Sequence, residues 1–154
     1  MTGETIMIVE DEGLITLHLI ALLKKTGYRV IDPVYSGEMA LRVLERSPEP
    51  DLILMDIKLA GKLDGIETAR KIRQHLPVPL IFVTGYASER MLESMQEVAA
   101  DRIIFKPFIE EDLLAAVRES LEKRIYNKGA IFKKNGSPDA DMDQKSSSGT
   151  MIHG

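Results

Sequence analysis

The chain has 154 residues, a formal net charge of -4 and no cysteine. Its hydrophobic fraction of 44% and charged fraction of 29% are ordinary for a globular protein, and its length fits one domain with a modest extension. A net negative charge does not indicate nucleic-acid binding, which usually requires a basic surface. The absence of cysteine excludes disulfides and thiol chemistry. The acidic N-terminal stretch fits neither a signal peptide nor a membrane span, so we expect a cytoplasmic protein.

Short apolar runs alternate with longer stretches of helical period along the chain. The runs predict five strands, in chain order Thr5 to Val9, Arg29 to Val34, Leu52 to Asp56, Leu80 to Thr84 and Arg102 to Phe105. The stretches predict five helices, in chain order Leu14 to Lys25, Glu38 to Arg46, Ile66 to His75, Glu89 to Val98 and Glu110 to Ile125. This alternation favours an α/β fold in which crossover helices join parallel strands.

Local signals refine these boundaries. Pro33 predicts that the second strand lies at an edge of the sheet, because proline cannot donate to a neighbouring strand. Ser36 and Ser88 precede predicted helices and are suitable N-caps. Beyond Tyr126 the composition shifts to Lys, Gly, Ser and Asp, which favours a domain over 1–126 and a flexible tail over 127–154. This tail is too short for a DNA-binding domain with its own core.

Acidic residues follow two of the apolar runs. Asp56 closes the third predicted strand, and Glu10 and Asp11 follow the first. If the strand order is 2-1-3-4-5, these strands are neighbours and the three carboxylates meet at one rim, where Thr84 and Lys106 add a hydroxyl and an ammonium. Anions this close repel by about several kcal/mol unless a cation lies among them. The sequence therefore predicts a metal ion.

These features resemble the receiver domain of response regulators, the phosphoacceptor module of two-component signalling, over roughly residues 4 to 125. The chemotaxis regulators belong to the same group. The matching motifs are Ile8-Val9-Glu10-Asp11-Glu12, Asp51-Leu52-Ile53-Leu54-Met55-Asp56, Asp64-Gly65-Ile66-Glu67, Phe82-Val83-Thr84-Gly85 and Phe105-Lys106-Pro107-Phe108. The resemblance implies a flavodoxin-like, doubly wound sheet of five parallel strands in the order 2-1-3-4-5, with helices on both faces.

The resemblance also implies a role for each site residue. Asp56 is the expected phosphoacceptor, Thr84 the switch hydroxyl and Lys106 the phosphate-binding lysine, with a cis peptide between Lys106 and Pro107. The implied ligands of Mg²⁺ are Glu10, Asp11, Asp56 and the backbone carbonyl of Lys58. Hard oxygen ligands and the lack of cysteine favour Mg²⁺ over zinc.

The implied activity is signalling by phosphoryl transfer, and the chain is not expected to be a classical enzyme. A sensor histidine kinase would donate a phosphoryl group to Asp56, and the domain would assist its own phosphorylation and dephosphorylation. Thr84 would then switch a surface on the fourth helix, fifth strand and fifth helix toward a protein effector or a phosphotransfer protein. The same surface could form a homodimer, and neither direct nucleic-acid binding nor membrane binding is expected.

One position departs from the common pattern of such domains. Many members carry an aromatic switch residue three positions before the lysine, and here that residue is Ile103. The Phe-x-Thr-Gly motif that ends at Gly85 is similar to a variant found in receivers of an atypical class of sensor kinases. Tyr86 either replaces the aromatic reporter or serves only in packing.

Other functions are also compatible with parts of the pattern. A Mg²⁺-dependent phosphohydrolase with an aspartyl nucleophile usually needs a second aspartate two residues later, where this chain has Lys58. A flavodoxin-like nucleotide or flavin binder needs a glycine-rich phosphate loop, whereas the first loop here is acidic. A receiver within a longer hybrid kinase is a further alternative.

Overall fold

The structure is a computed structural model that describes residues 3–136, with the side chains of residues 3–125. Its strands are β1 (Thr5–Val9), β2 (Arg29–Val30), β3 (Leu52–Met55), β4 (Leu80–Thr84) and β5 (Arg102–Phe105). Its helices are α1 (Gly13–Thr26), α2 (Gly37–Arg46), α3 (Gly65–Arg73), α4 (Glu89–Glu97) and α5 (Glu110–Gly136). The strands are parallel and form one sheet in the order β2-β1-β3-β4-β5, which confirms the predicted fold class.

The core consists of two layers of apolar side chains, one on each face of the sheet. Alternate residues of a strand point to opposite faces, so each central strand contributes to both layers. One layer includes Ile6, Ile8, Leu52, Leu54, Leu19, Leu113 and Val117. The other includes Met7, Val9, Ile53, Met55, Phe82, Ile66, Ile72 and Met95. This burial on both sides explains why the central strands read as continuous hydrophobic runs in the sequence.

Side-chain caps begin three of the helices. The hydroxyl oxygens of Ser36 and Ser88 each accept a hydrogen bond from the backbone three residues later, so both predicted caps are confirmed. Asp64 caps α3 and forms a reciprocal pair of hydrogen bonds with Glu67. At the other end of α1, Gly27 adopts a left-handed conformation with φ of 106°, and its amide donates to carbonyls of the last turn.

Arg73 ties the end of α3 to the segments that follow it. Its guanidinium donates to the backbone carbonyls of Val78, Val98 and Ala99, the last two at 2.8 and 3.2 Å. Burial lowers the pKa of Arg73, whereas the charge of Asp101 opposes that shift. These bonds satisfy three carbonyls that lie outside regular secondary structure, so Arg73 joins α3 to both β4 and α4.

Two predicted boundaries were wrong by four residues or more, whereas the others lie within two residues of the observed ends. β2 ends at Val30 and not at Val34, because Pro33 interrupts regular pairing, although Val34 still forms an isolated bridge with Val9. β2 does lie at the sheet edge, as Pro33 predicted.

The helix α5 runs to Gly136 and not to Ile125. Asn127 and Gly129 favour a stop, but one glycine within a helix costs only about 1 kcal/mol, which neighbouring residues can offset. The helix overlaps the start of the tail predicted over 127–154. Residues 137–154 lie outside the described residues, so the division into a domain and a tail stays a prediction.

The residues up to Leu121 form one compact unit that contains the whole sheet. Of the unit that begins at Glu122, the structure describes helical backbone to Gly136. Within residues 3–136, none of the helices has the length and apolar character needed to cross a bilayer.

Candidate functional site

The acidic residues predicted to meet do so at the carboxyl edge of the sheet. Val9 pairs with Met55 in the ladder between β1 and β3, so the next residues, Glu10 and Asp56, emerge side by side. The Asp56 amide donates to the Val9 carbonyl at 3.0 Å, which extends this register past the strand end. One carboxylate oxygen from each of Glu10, Asp11 and Asp56 lies within 4.8 Å of the others. This convergence confirms the sequence-based placement of the three acids.

Lys106 lies among these acids, and its ammonium contacts three carboxylates. Its Nζ is 2.8 Å from Glu10 Oε1, 3.2 Å from Asp56 Oδ2 and 2.9 Å from Glu12 Oε1. An ammonium has three donors, so these carboxylates can accept all of them. The backbone places Lys106 here, because its amide donates to the Thr84 carbonyl at 2.8 Å and the Lys106–Pro107 peptide is cis, as expected.

Glu12 is a site residue that the sequence reasoning missed. It is the N-cap residue of α1, and its side chain extends to Lys106 instead of capping its own helix. Its side chain is exposed, in contrast to Glu10, and its amide donates to Glu10 Oε2 at 3.1 Å. The available signal was the run of three acids from Glu10 to Glu12.

Burial of like charges raises the pKa of Glu10 to about 7. Desolvation is the main cause and the nearby Asp56 charge adds to it, whereas the hydrogen bond from Lys106 acts in the opposite direction. Desolvation by itself lowers the pKa of Lys106, but its hydrogen bonds to Glu10 and Glu12 and the charge of Asp56 leave that pKa raised. The Lys106 ammonium is therefore charged at neutral pH, and Glu10 binds a proton more readily than an ordinary glutamate does.

The oxygen ligands present fit a divalent ion such as Mg²⁺. Glu10, Asp11 and Asp56 supply three hard donors, and with one lysine they leave a formal charge of -3 + 1 = -2. Burial is the main cause of the raised pKa of Glu10, and the negative charge of Asp56 adds to it. The residues fit the predicted metal, whereas the Lys58 carbonyl remains a predicted ligand.

Asp56 is nearly buried, yet it contributes to the wall of an open cavity. Its Oδ1 accepts from the Ile57 amide at 2.7 Å, while Oδ2 faces Lys106. The cavity is lined by Asp11, Glu12, Asp56, Lys58, Thr84, Gly85, Tyr86 and Lys106. A small anionic group could therefore reach Asp56 from solvent.

Thr84 ends β4 beside the acids, and its side chain is 1% exposed. Its hydroxyl donates to the Tyr86 carbonyl at 3.4 Å, a contact that a new acceptor in the cavity could replace. The Tyr86 side chain is 61% exposed, so packing does not account for it. Ile103 is only partly buried against the core layer that contains Phe82.

Position 65 requires glycine because the backbone there lies very close to the backbone of Asp56 and Ile57. A Cβ at this position would lie 2.1 Å from the Asp56 carbonyl oxygen. The Gly65 amide donates to the Ile57 carbonyl at 2.6 Å, which closes the turn between β3 and α3. Any side chain at position 65 would therefore displace the backbone of Asp56.

Comparison with known proteins identifies relatives over most of the chain. Residues 6–118 match the model of the response regulator receiver domain. The transcriptional regulatory protein CpxR of Escherichia coli K12 is 33% identical over 138 residues, which cover 90% of this chain and 58% of the relative. The transcriptional regulatory protein PdtaR of Mycobacterium tuberculosis is 29% identical over 118 residues, covering 77% and 57%. The chain thus spans less than two thirds of these relatives.

A solved structure supports the same relationship. The CheY-like receiver domain protein of Methanospirillum hungatei superposes with a TM-score of 0.77 at 30% identity, and the alignment covers 82% of this chain and 99% of that one. Taken with the match over residues 6–118, this likeness shows that the chain belongs to the family of response regulator receiver domains of two-component systems.

Proposed function

We propose that Asp56 accepts a phosphoryl group from a sensor histidine kinase in a Mg²⁺-dependent reaction. One observation carries the proposal: a nearly buried aspartate lies against two further acids and a lysine ammonium, and still lines an open cavity. An aspartate with only a surface role does not need two further acids beside it, because repulsion between the carboxylates destabilises the fold unless a cation binds.

The transfer is an in-line displacement at phosphorus. A carboxylate oxygen of Asp56 forms a bond to phosphorus while the bond to the imidazole nitrogen of the donor phosphohistidine breaks. The electron pair of that bond stays on the nitrogen, and Asp56 becomes an acyl phosphate. Mg²⁺ held by Glu10, Asp11 and Asp56 would neutralise charge on the phosphoryl oxygens. The Lys58 carbonyl is the proposed fourth protein ligand.

Lys106 and Thr84 act on the product. Lys106 would exchange one of its three carboxylate partners for a phosphoryl oxygen, and the exposed Glu12 is the easiest partner to give up. Thr84 would exchange the Tyr86 carbonyl for another phosphoryl oxygen. This movement of Thr84 would draw in the loop after β4 and alter the surface formed by α4, β5 and α5.

Exposed apolar side chains support two contact surfaces. Leu14 and Leu17 on α1 are 83% and 64% exposed, and α1 begins directly after the acids, so this helix suits the approach of a kinase. Phe105 on β5 is half exposed and lies next to Lys106, which suits an output contact. The proposed output partner is a protein effector or a phosphotransfer protein, or a second copy of this chain in a homodimer.

We place this protein in the cytoplasm, with no direct contact to nucleic acid or membrane. The two transcriptional relatives extend well beyond the matched region, so their titles describe proteins with additional segments. A receiver within a hybrid kinase is the second candidate for the larger context. For a phosphohydrolase, the position two residues after Asp56 holds Lys58 in place of the usual second aspartate.

Intact-mass measurement after incubation with acetyl phosphate tests the proposal. Wild-type protein should gain one phosphoryl group with Mg²⁺ and none with a chelator. Asp56→Asn should gain none, and Asp32→Asn, which changes an exposed aspartate outside the cavity, should match wild type. Equal phosphorylation of Asp56→Asn, or phosphorylation that ignores Mg²⁺, would refute the proposal.

A further inference from the structure

We propose that Glu38 is a positioning residue, whose carboxylate fixes the loop over 58–63 and thereby the backbone carbonyl that this loop presents to Mg²⁺. The proposal rests on the proposed function, because it concerns the metal that Asp56 requires. Glu38 is not one of the three clustered acids, and its proposed action runs through the loop alone.

Glu38 holds the loop by its backbone. Its Oε2 accepts from the Lys62 amide at 2.7 Å and from the Leu63 amide at 3.2 Å. Bonds from backbone amides to an ionised carboxylate are stronger than those between neutral groups. Two such bonds to one oxygen fix the end of the loop that leads into α3.

Glu38 lies at a capped helix end that contacts the loop at a second point. Glu38 lies in the first turn of α2, where Ser36 caps the helix by accepting from the Met39 amide. Ser36 also forms an isolated parallel bridge with Ala60, so the start of α2 contacts the loop at a second point. The start of α2 therefore holds the loop at two points, through Glu38 and through Ser36.

The opposite side of the loop contacts Asp11, one of the three acids proposed to bind the metal. The Ala60 amide donates to Asp11 Oδ2 at 3.0 Å, and Lys58 lies between Asp56 and this contact along the chain. Asp11 is itself a proposed ligand, so a bound ion would compete for its oxygens. The Glu38 contacts do not involve any proposed ligand atom, and they would hold the loop in the same place whether or not the ion is bound.

Gly61 lets the loop lie over the Glu38 carboxylate. Its φ of 100° is in the left-handed region, and a Cβ would lie 2.7 Å from Glu38 Oε1. A side chain at this position would therefore displace the Glu38 carboxylate, and the positive φ would strain the loop backbone as well. Gly61 and Glu38 form one device, and a change in either should disturb the metal site in the same direction.

The test compares three variants in the full chain. Glu38→Met keeps the length and helix propensity of the side chain but removes its acceptors. Glu38→Gln removes the charge and keeps one acceptor oxygen. Glu45→Gln removes the same charge from an exposed position on the same helix and is the matched control. Mg²⁺ affinity is read from amide chemical shifts in NMR titrations, and loop opening from hydrogen exchange of the Lys62 and Leu63 amides.

We expect Glu38→Met to weaken Mg²⁺ binding about tenfold and to speed exchange of the two loop amides, with exchange in β1 and β3 unchanged. Glu38→Gln should stay within about threefold of wild type, and Glu45→Gln should match it. Wild-type affinity and exchange in Glu38→Met would overturn the proposal. So would a Glu45→Gln affinity as low as that of Glu38→Met, since loss of negative charge on α2, and not loss of the loop bonds, would then be the cause.

Two further results keep the test decisive. If Glu38→Met does not fold, Gly61→Ala replaces it, because this change disturbs the same contact from the loop. Gly61→Ala should then weaken Mg²⁺ binding, and wild-type Mg²⁺ affinity in that variant overturns the proposal. If wild-type protein binds no Mg²⁺, the proposed function fails. The exchange rates of the Lys62 and Leu63 amides are measured without metal, so they still report separately on Glu38.

Discussion

Replacing Glu10 with glutamine should stabilise the metal-free protein at pH 8 far more than at pH 5. The pKa of Glu10 is raised to about 7 in the folded protein, against an ordinary value of 4.5. Each pKa unit corresponds to about 1.4 kcal/mol, so ionised Glu10 costs the folded state about 3 kcal/mol relative to the unfolded chain. Glutamine has nearly the same shape and removes this charge.

The direction of the pH dependence of stability follows from whether the folded or the unfolded state binds the Glu10 proton more tightly. Between pH 4.5 and 7, folded wild type keeps the Glu10 proton that the unfolded chain has lost, so its free energy of unfolding falls as pH rises. Glu10→Gln does not share this loss. The variant should therefore exceed wild type by about 1 kcal/mol at pH 5 and about 3 kcal/mol at pH 8.

Urea unfolding followed by far-UV circular dichroism, with a chelator present, measures these differences. Glu45→Gln changes the same charge at an exposed position and should track wild type at both pH values. Mg²⁺ at about 100 times its dissociation constant should add about 2.7 kcal/mol to wild type and much less to Glu10→Gln. A difference between variant and wild type that does not change with pH would refute the reasoning.

Substitutions at three further residues test other parts of the structure. Lys106→Met should tighten Mg²⁺ binding in calorimetry, because it removes a competing cation, and should slow the mass gain from acetyl phosphate. Arg73→Met should lower the free energy of unfolding in urea by about 3 kcal/mol, because three carbonyls lose a donor, and Arg73→Lys should recover little of it. Gly65→Ala should cost about 2 kcal/mol of stability and slow phosphorylation, since its Cβ displaces the Asp56 backbone; wild-type values would contradict this.

The acid cluster was predictable from the sequence because its members directly follow the ends of two strands. Buried parallel strands leave a clear hydrophobic run, and the residue after each run must emerge at the same edge of the sheet. Asp56 and Glu10 follow directly from this rule. The position of Lys106 follows from it as well, because β5 is the last strand of the same sheet.

The parts that were missed depend on side-chain direction and irregular backbone. Glu12 is an N-cap residue whose carboxylate turns away from its helix, and no periodicity predicts that choice. Glu38 reads as an ordinary acid in a first helical turn, favoured there by the helix dipole. Its contact with the Lys62 amide exists only because the loop folds back over α2, which a single sequence does not encode in any repeating pattern.

The pairing of Val9 with Met55 has a consequence for engineering. Because the geometry of the acids comes from the alignment of two central strands, segments far from that pair can be grafted from other proteins without loss of the cluster. A chimaera that exchanges the outer surface of α2 or α4 should keep it. A single-residue deletion inside β1 or β3 should destroy it, because every later side chain would turn to the opposite face.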